Sequence, residues 1–131
     1  MRRRGSAVLI NNKKVALIKR VQADSVYYVF PGGGIEVGET PEEATIRETY
    51  EELGVHIKIN ESRDSFCFNG SQYFFLADIV DGVFGTGQGE EFLQNASDKG
   101  TYEPMWVDIH TLDAIDVKPK EISDKIQNIF R

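Results

Sequence analysis

Between Thr40 and Gly54 the chain carries a full set of helix signals, and what is strung along that helix restricts the fold more than any other stretch. Thr40 is a good N-cap, Pro41 suits the first helical position, and Glu43 sits three residues after the cap to complete a capping box. Gly54 is the residue expected just past a helix end. At about 100° per residue, Ile46, Thr49, Tyr50 and Leu53 fall within one arc, while Glu48, Glu51 and Glu52 fall on the opposite side. The sequence therefore predicts a helix with one face packed on a sheet and the other presenting carboxylates.

Charge makes the same stretch unusual. Residues 33–55, GGIEVGETPEEATIRETYEELGV, hold Glu36, Glu39, Glu42, Glu43, Glu48, Glu51 and Glu52 against Arg47 alone. That local balance of −6 equals the formal net charge of the whole chain, so elsewhere 14 acids and 14 bases cancel. Concentrated like charge is costly unless cations neutralise it or solvent screens it. Carboxylates at i, i+3 and i+4 lie about 5–6 Å apart at Cβ, close enough to share a hard cation. Oxygen-only donors favour magnesium or manganese, and with no His or Cys in the segment a zinc site is disfavoured.

The rest of the 131 residues sets the frame. That length supports one ordinary core, so a single domain over residues 1–131 is expected. Ser6–Ile10 and Lys14–Lys19 read as a hairpin around Asn11-Asn12-Lys13, and Val26–Phe30 as a third strand cut off by Pro31. Gly32-Gly33-Gly34 then reads as a loop. Beyond the helix, Val55–Ile59, Ser65–Phe68, Ser71–Val80 and Tyr102–Ile109 read as strands, with Asn69-Gly70 as a tight turn. Asp81–Glu91 is a glycine-rich loop, and Lys118–Phe130 an amphipathic terminal helix. This mixture implies an α/β (α+β) sheet covered by helices. No apolar run reaches the roughly 18 residues of a membrane helix. The lone Cys67 fits a reducing cytoplasm, with the residue itself buried or half-buried in its strand. An acidic whole disfavours nonspecific nucleic-acid binding.

A Glu-rich helix with no further pattern would read as a solvated acidic face. Here Gly33, five residues, Glu39, seven residues, then Arg47-Glu48, Glu51-Glu52 and Gly54 keep a fixed spacing over 23 residues. This resembles the Nudix box of the Nudix hydrolases (MutT-like), with Thr49 standing where that family usually has an aliphatic residue. The resemblance implies an α/β/α sandwich with a mixed central sheet and a catalytic loop-helix-loop. It implies hydrolysis of a phosphoanhydride in a nucleoside diphosphate derivative, a triphosphate or dinucleoside polyphosphate first, with Mg2+ or Mn2+ as cofactor. By the same carry-over Glu48, Glu51 and Glu52 hold the metals, Arg47 orients a neighbouring carboxylate, and Glu39 supports the loop–helix junction or a metal-bound water. Gly33, Gly34 and Gly38 let the backbone approach metal and substrate. The general base stays open among Glu48, Glu51 and a loop glutamate, Glu90 or Glu91. The other class of function, a Nudix-fold domain that binds nucleotides without turnover, is disfavoured because no box carboxylate is missing.

Outside the box, Lys19 and Arg20 end a strand where either could contact a phosphate, with a charged strand end as the plain alternative. Phe66, Phe68, Tyr73, Phe74 and Trp106 could stack on a base, though strand patterns assign most of them to the core. Tyr73 lies at a spacing from the box that resembles dinucleoside polyphosphate hydrolases of the family. The expected partner is thus a small-molecule nucleotide, with no nucleic-acid polymer and no membrane, on a monomer or homodimer.

Overall fold

The computed structural model describes residues 3–63, 65–87 and 100–130. Strands β1 (Arg4–Asn11) and β2 (Lys14–Gln22) form the predicted hairpin, turning through Asn12 and Lys13, both at positive φ, as the tight turn of a twisted hairpin requires. β3 (Ser25–Val29) pairs with β2, and after Pro31 the chain returns as β4 (Gly32–Gly34). The glycine triplet read as a loop is thus a strand, because Arg4↔Gly34, Gly5↔Gly33 and Ser6↔Gly32 satisfy its backbone antiparallel to β1. Helix α1 (Pro41–Leu53) follows, then β5 (Val55–Ile59), β6 (Phe66–Phe68) and β7 (Gln72–Gly82). β8 (Thr101–Asp108), a 3-10 turn (Ile109–Ala114), β9 (Val117–Lys118) and helix α2 (Lys120–Phe130) complete the order.

The sheet is mixed and runs β5-β7-β1-β2-β3-β9, with β4 on β1, β6 on β7 and β8 on β2. β1 lies parallel to β7 along Arg4–Leu9 and meets β2 only at the hairpin end, so the sheet opens into two wings beyond Ile10↔Val15. Alternation along β1 and β2 feeds two cores. Val8, Val15 and Leu17 join Phe74, Leu76, Ile122 and Ile126 under α2. Ala7, Leu9, Ala16 and Ile18 join Leu53, Val55 and Ile57 under α1. Burial on both faces explains why these strands read as nearly continuous apolar runs. Among the described residues no helix is long and apolar enough to cross a membrane.

Helix α1 begins and ends where the sequence predicts. Thr40 Oγ1 accepts from Glu43 N at 3.1 Å, Glu43 Oε1 accepts from Thr40 N at 2.8 Å, and Gly54 closes the helix in the left-handed region. Its orientation differs from the prediction. Ala44, Thr45, Thr49, Glu52 and Leu53 are buried, whereas Ile46 and Tyr50 are exposed, Tyr50 stacking on the exposed ring of His56. The helix is rolled about its axis so that Glu48 and Glu52 face β4. A glycine strand offers no Cβ there, which leaves room for carboxylates where larger residues would demand apolar partners. Cys67 is also corrected: it is exposed, because Phe66 and Phe68 take the inward positions of β6.

Candidate active site

The site is built where α1 crosses β4. The Gly32 N–H donates to Glu52 Oε1 at 2.6 Å, and Glu52 itself is only 6% exposed. At Gly33, an added Cβ would stand 2.5 Å from the Glu48 carboxyl carbon, so the absence of a side chain is what allows that carboxylate to lie on the backbone. Gly34 accepts, through its carbonyl, a hydrogen bond of 3.1 Å from Arg47 Nη2. The three glycines thus engage Glu52, Glu48 and Arg47 in turn.

Arg47 is the centre of the cluster. Its Nε and Nη2 donate to the two oxygens of Glu39 at 2.8 and 3.0 Å, and its Nη1 donates to Glu48 at 2.9 Å. Glu51 lies 3.5 Å away and Glu36 3.8 Å away. The paired donation from Arg47, with the Glu36 N–H at 2.9 Å, holds the Glu39 carboxyl well below its usual range, at about 2. The same hydrogen bond to Glu39 pushes the Arg47 guanidinium up, further into its charged form. Among the described residues five carboxylates share this neighbourhood with one guanidinium, a formal excess of four negative charges. Glu51 carries the excess outward on a side chain 46% exposed, against 16% for Glu48.

This donor set fits a hard divalent cation: all ligand atoms are oxygens, the charge excess is large, and Glu48 sits flush on Gly33. Among the described residues no three acidic side chains converge on one ion position, since Glu39 is turned to Arg47 and Glu52 to the Gly32 amide. The three carboxylates that the resemblance assigns to the metals are unequally exposed. Glu51 faces solvent, Glu48 is tucked against the backbone, and Glu52 is buried beneath them.

The residues singled out beyond the box are placed apart from it. Arg20 lies flat over Tyr102, its guanidinium carbon 3.7 Å from the ring centre, and donates through Nε to Thr101 O at 3.2 Å. Lys19 points to the other side of β2, between its partners Tyr28 and Glu103. Tyr73 accepts from Arg3 Nη2 at 3.2 Å and stacks on Phe75. Phe74 is core, Phe66 and Phe68 are half-buried against it, and Trp106 packs on Phe84. Glu90 and Glu91 lie outside the described residues.

A cavity of about 350 Å³ opens on the opposite face of the β1–β4 pair from Glu48. Ser6, Phe30, Phe68, Phe74 and Gln72 form its floor and sides, with Arg4 and Lys118 at its walls. Sequence reasoning did not find it, because its walls come from five separated segments. A larger hollow of about 610 Å³ between Ile46 and β5 contains none of the carboxylates that surround Arg47 and has no part in this arrangement.

The chain is similar to known proteins. Over 97 residues the chain is 33% identical to an RNA pyrophosphohydrolase of Psychromonas ingrahamii, covering 58% of this chain and 52% of that protein. Over 90 residues it is 32% identical to an 8-oxo-dGTP diphosphatase of Haemophilus influenzae, covering 65% and 57%. The chain thus spans about half the length of the curated relatives it matches. A MutT structure from work on Aliivibrio salmonicida and Vibrio cholerae superposes with a TM-score of 0.66 at 21% identity, covering 98% of each chain, which fixes the fold. The NUDIX domain model matches residues 1–127, and with the glycine strand, the capped acidic helix and the Arg47 cluster in place the chain belongs to the NUDIX family.

Proposed function

We propose that the protein hydrolyses a phosphoanhydride bond in a nucleoside diphosphate derivative, a nucleoside triphosphate or dinucleoside polyphosphate first. The observation that carries this is the Arg47-centred cluster, in which five carboxylates gather around one guanidinium against a strand without side chains. Relatives named for pyrophosphohydrolase and diphosphatase activity cleave the same class of bond.

Glu48, Glu51 and Glu52, with Glu39 and the backbone at Gly33, would hold Mg2+ or Mn2+, which when bound neutralises phosphate charge and makes water more acidic. The chain's own groups do the rest. Arg47 pins Glu39 and Glu48 so that neither carboxylate has to reorganise during the reaction. Water attacks one phosphorus of the anhydride, the bond to the bridging oxygen breaks, and the departing phosphate takes that oxygen. The proton of the water passes to a carboxylate. Glu51 is the more accessible of the two described candidates and Glu48 the more firmly held, with Glu91 as the loop alternative. The Phe-lined cavity takes the nucleoside. Among the described residues β4 pairs with β1 alone, and a polyphosphate passing around its other edge would run from cavity to carboxylates.

A panel of nucleoside triphosphates, dinucleoside polyphosphates, nucleotide sugars and ADP-ribose, with Mg2+ and then with chelator, tests this. Product release that needs the cation, and falls at least about 100-fold in both Glu51→Gln and Glu52→Gln, is the expected result. Full rates in both variants would remove the metal face from the mechanism. Saturable binding with no product would make the domain a sensor.

A further inference from the structure

Among the nine residues lining the cavity behind β4, two are cations, Arg4 and Lys118, and none is acidic. This is notable in a chain whose charge is −6 overall. Neither side chain has an ion-pair partner among the described residues. Arg4 is fixed at the start of β1 by its pairing to Gly34 and Gln72, and Lys118 is held with its Nζ 4.8 Å from the ring centre of Tyr27. Both are exposed at the cavity wall, while Phe30 and Phe74 beneath them are buried and meet edge to face at 5.5 Å.

A base lying against the half-buried ring of Phe68 is neutral and gives two cations little to do. The anhydride phosphates lie on the far side of β4, at the carboxylates. The electrostatics of the cavity therefore call for a second anion on the nucleoside, away from the bond that is cleaved.

We propose that Arg4 and Lys118 form a phosphate subsite that reads a phosphate on the 3′ side of the substrate's nucleoside. Arg4 supplies a fork suited to two phosphate oxygens, and Lys118 a compact charge in the same lining. Ser6 and Gln72, in the same lining, offer hydroxyl and amide groups to the sugar or base. A nucleotide bearing a 3′-phosphate monoester and the 5′ end of an oligonucleotide carrying a 3′ diester share this chemistry. The inference rests on the placement of the nucleoside given under Proposed function, and its test is separable from the hydrolysis.

The first measurement is binding without catalysis. In chelator, titration calorimetry compares adenosine 3′,5′-bisphosphate with AMP on the wild type, on Arg4→Gln, on Lys118→Gln and on the double variant, each checked by thermal melting for an intact fold. The expected result is roughly tenfold tighter binding of the bisphosphate by the wild type, with the two ligands bound alike by the double variant. Equal affinities in the wild type, or a preference that survives both substitutions, would overturn the proposal. The second measurement compares kcat/KM for ATP, for adenosine 3′-phosphate 5′-triphosphate and for a 5′-triphosphorylated dinucleotide. A preference for either 3′-substituted substrate that disappears in the variants supports the subsite, and the arm that shows it identifies monoester or diester as the source. ATP hydrolysis with no preference rejects the subsite and leaves the proposed function standing. A binding preference with no hydrolysis of any substrate does the reverse.

Discussion

At the scale of single residues, the cluster around Arg47 turns on a few atoms whose positions can be tested. Gly33→Ala would drive a methyl group into the Glu48 carboxylate, and the atom met is the far end of a flexible side chain, not backbone. Glu48 would swing aside, so a loss of at least about tenfold in kcat/KM with a melting temperature changed by less than about 3 °C is expected. Kinetics and a thermal melt on the same preparation check both halves. Glu39 gives a pH signature. Its folded pKa, about 2, lies below the ordinary 4.5, so the stability it contributes is complete above about 4.5 and is lost as pH falls through the folded value. Urea titrations in chelator between pH 5 and pH 2 should show a shallower loss of stability in Glu39→Gln than in the wild type, and parallel curves would argue against the Arg47 pairing. Thr49 is a third case: its hydroxyl is buried and has no hydrogen-bond partner among the described residues. Thr49→Val removes an unsatisfied donor at almost constant shape, and denaturant unfolding should show a gain of about 1 kcal/mol.

At the scale of elements, much was legible because local chemistry decides it. Thr40, Glu43 and Gly54 fix the ends of α1 through hydrogen bonds made within a few residues, and the pairs Asn12-Lys13 and Asn69-Gly70 turn the chain at positive φ as short hairpin loops demand. What the sequence did not disclose depends on distant partners. The glycine triplet became a strand only because Arg4, Gly5 and Ser6 lie alongside it. The roll of α1 followed from that neighbour, since periodicity ranks faces by hydropathy and has no means of knowing that β4 makes space for carboxylates. The cation-walled cavity escaped for the same reason, its lining being contributed by β1, β3, β6, β7 and β9. The corrected roll predicts that Ile46→Gln, on the exposed side, changes stability by no more than about 0.5 kcal/mol. Packing of Ile46 against the sheet, as its place in the periodicity implied, would instead cost several times that in the same denaturant titration.

At the scale of the whole molecule, one sheet serves two cores, and adjacent residues such as Val8 and Leu9 belong to different ones. Damage to either should therefore be felt by both. Leu53→Ala, at a fully buried position under α1, is expected to cost about 2–5 kcal/mol. It should lower a single transition seen alike by Trp106 fluorescence, which reports the α1 side, and by far-UV circular dichroism; separate transitions would show that the layers unfold independently. The same thin sheet has a consequence for substrate choice. The cavity and the carboxylates are divided by β4, which contributes no side chain and so cannot grow, shrink or change rotamer. Under the function proposed above it would work as a gauge one peptide thick: with the nucleoside seated on one side, the length of the linkage passing around the edge would decide which phosphorus arrives beside Glu48 and Glu52.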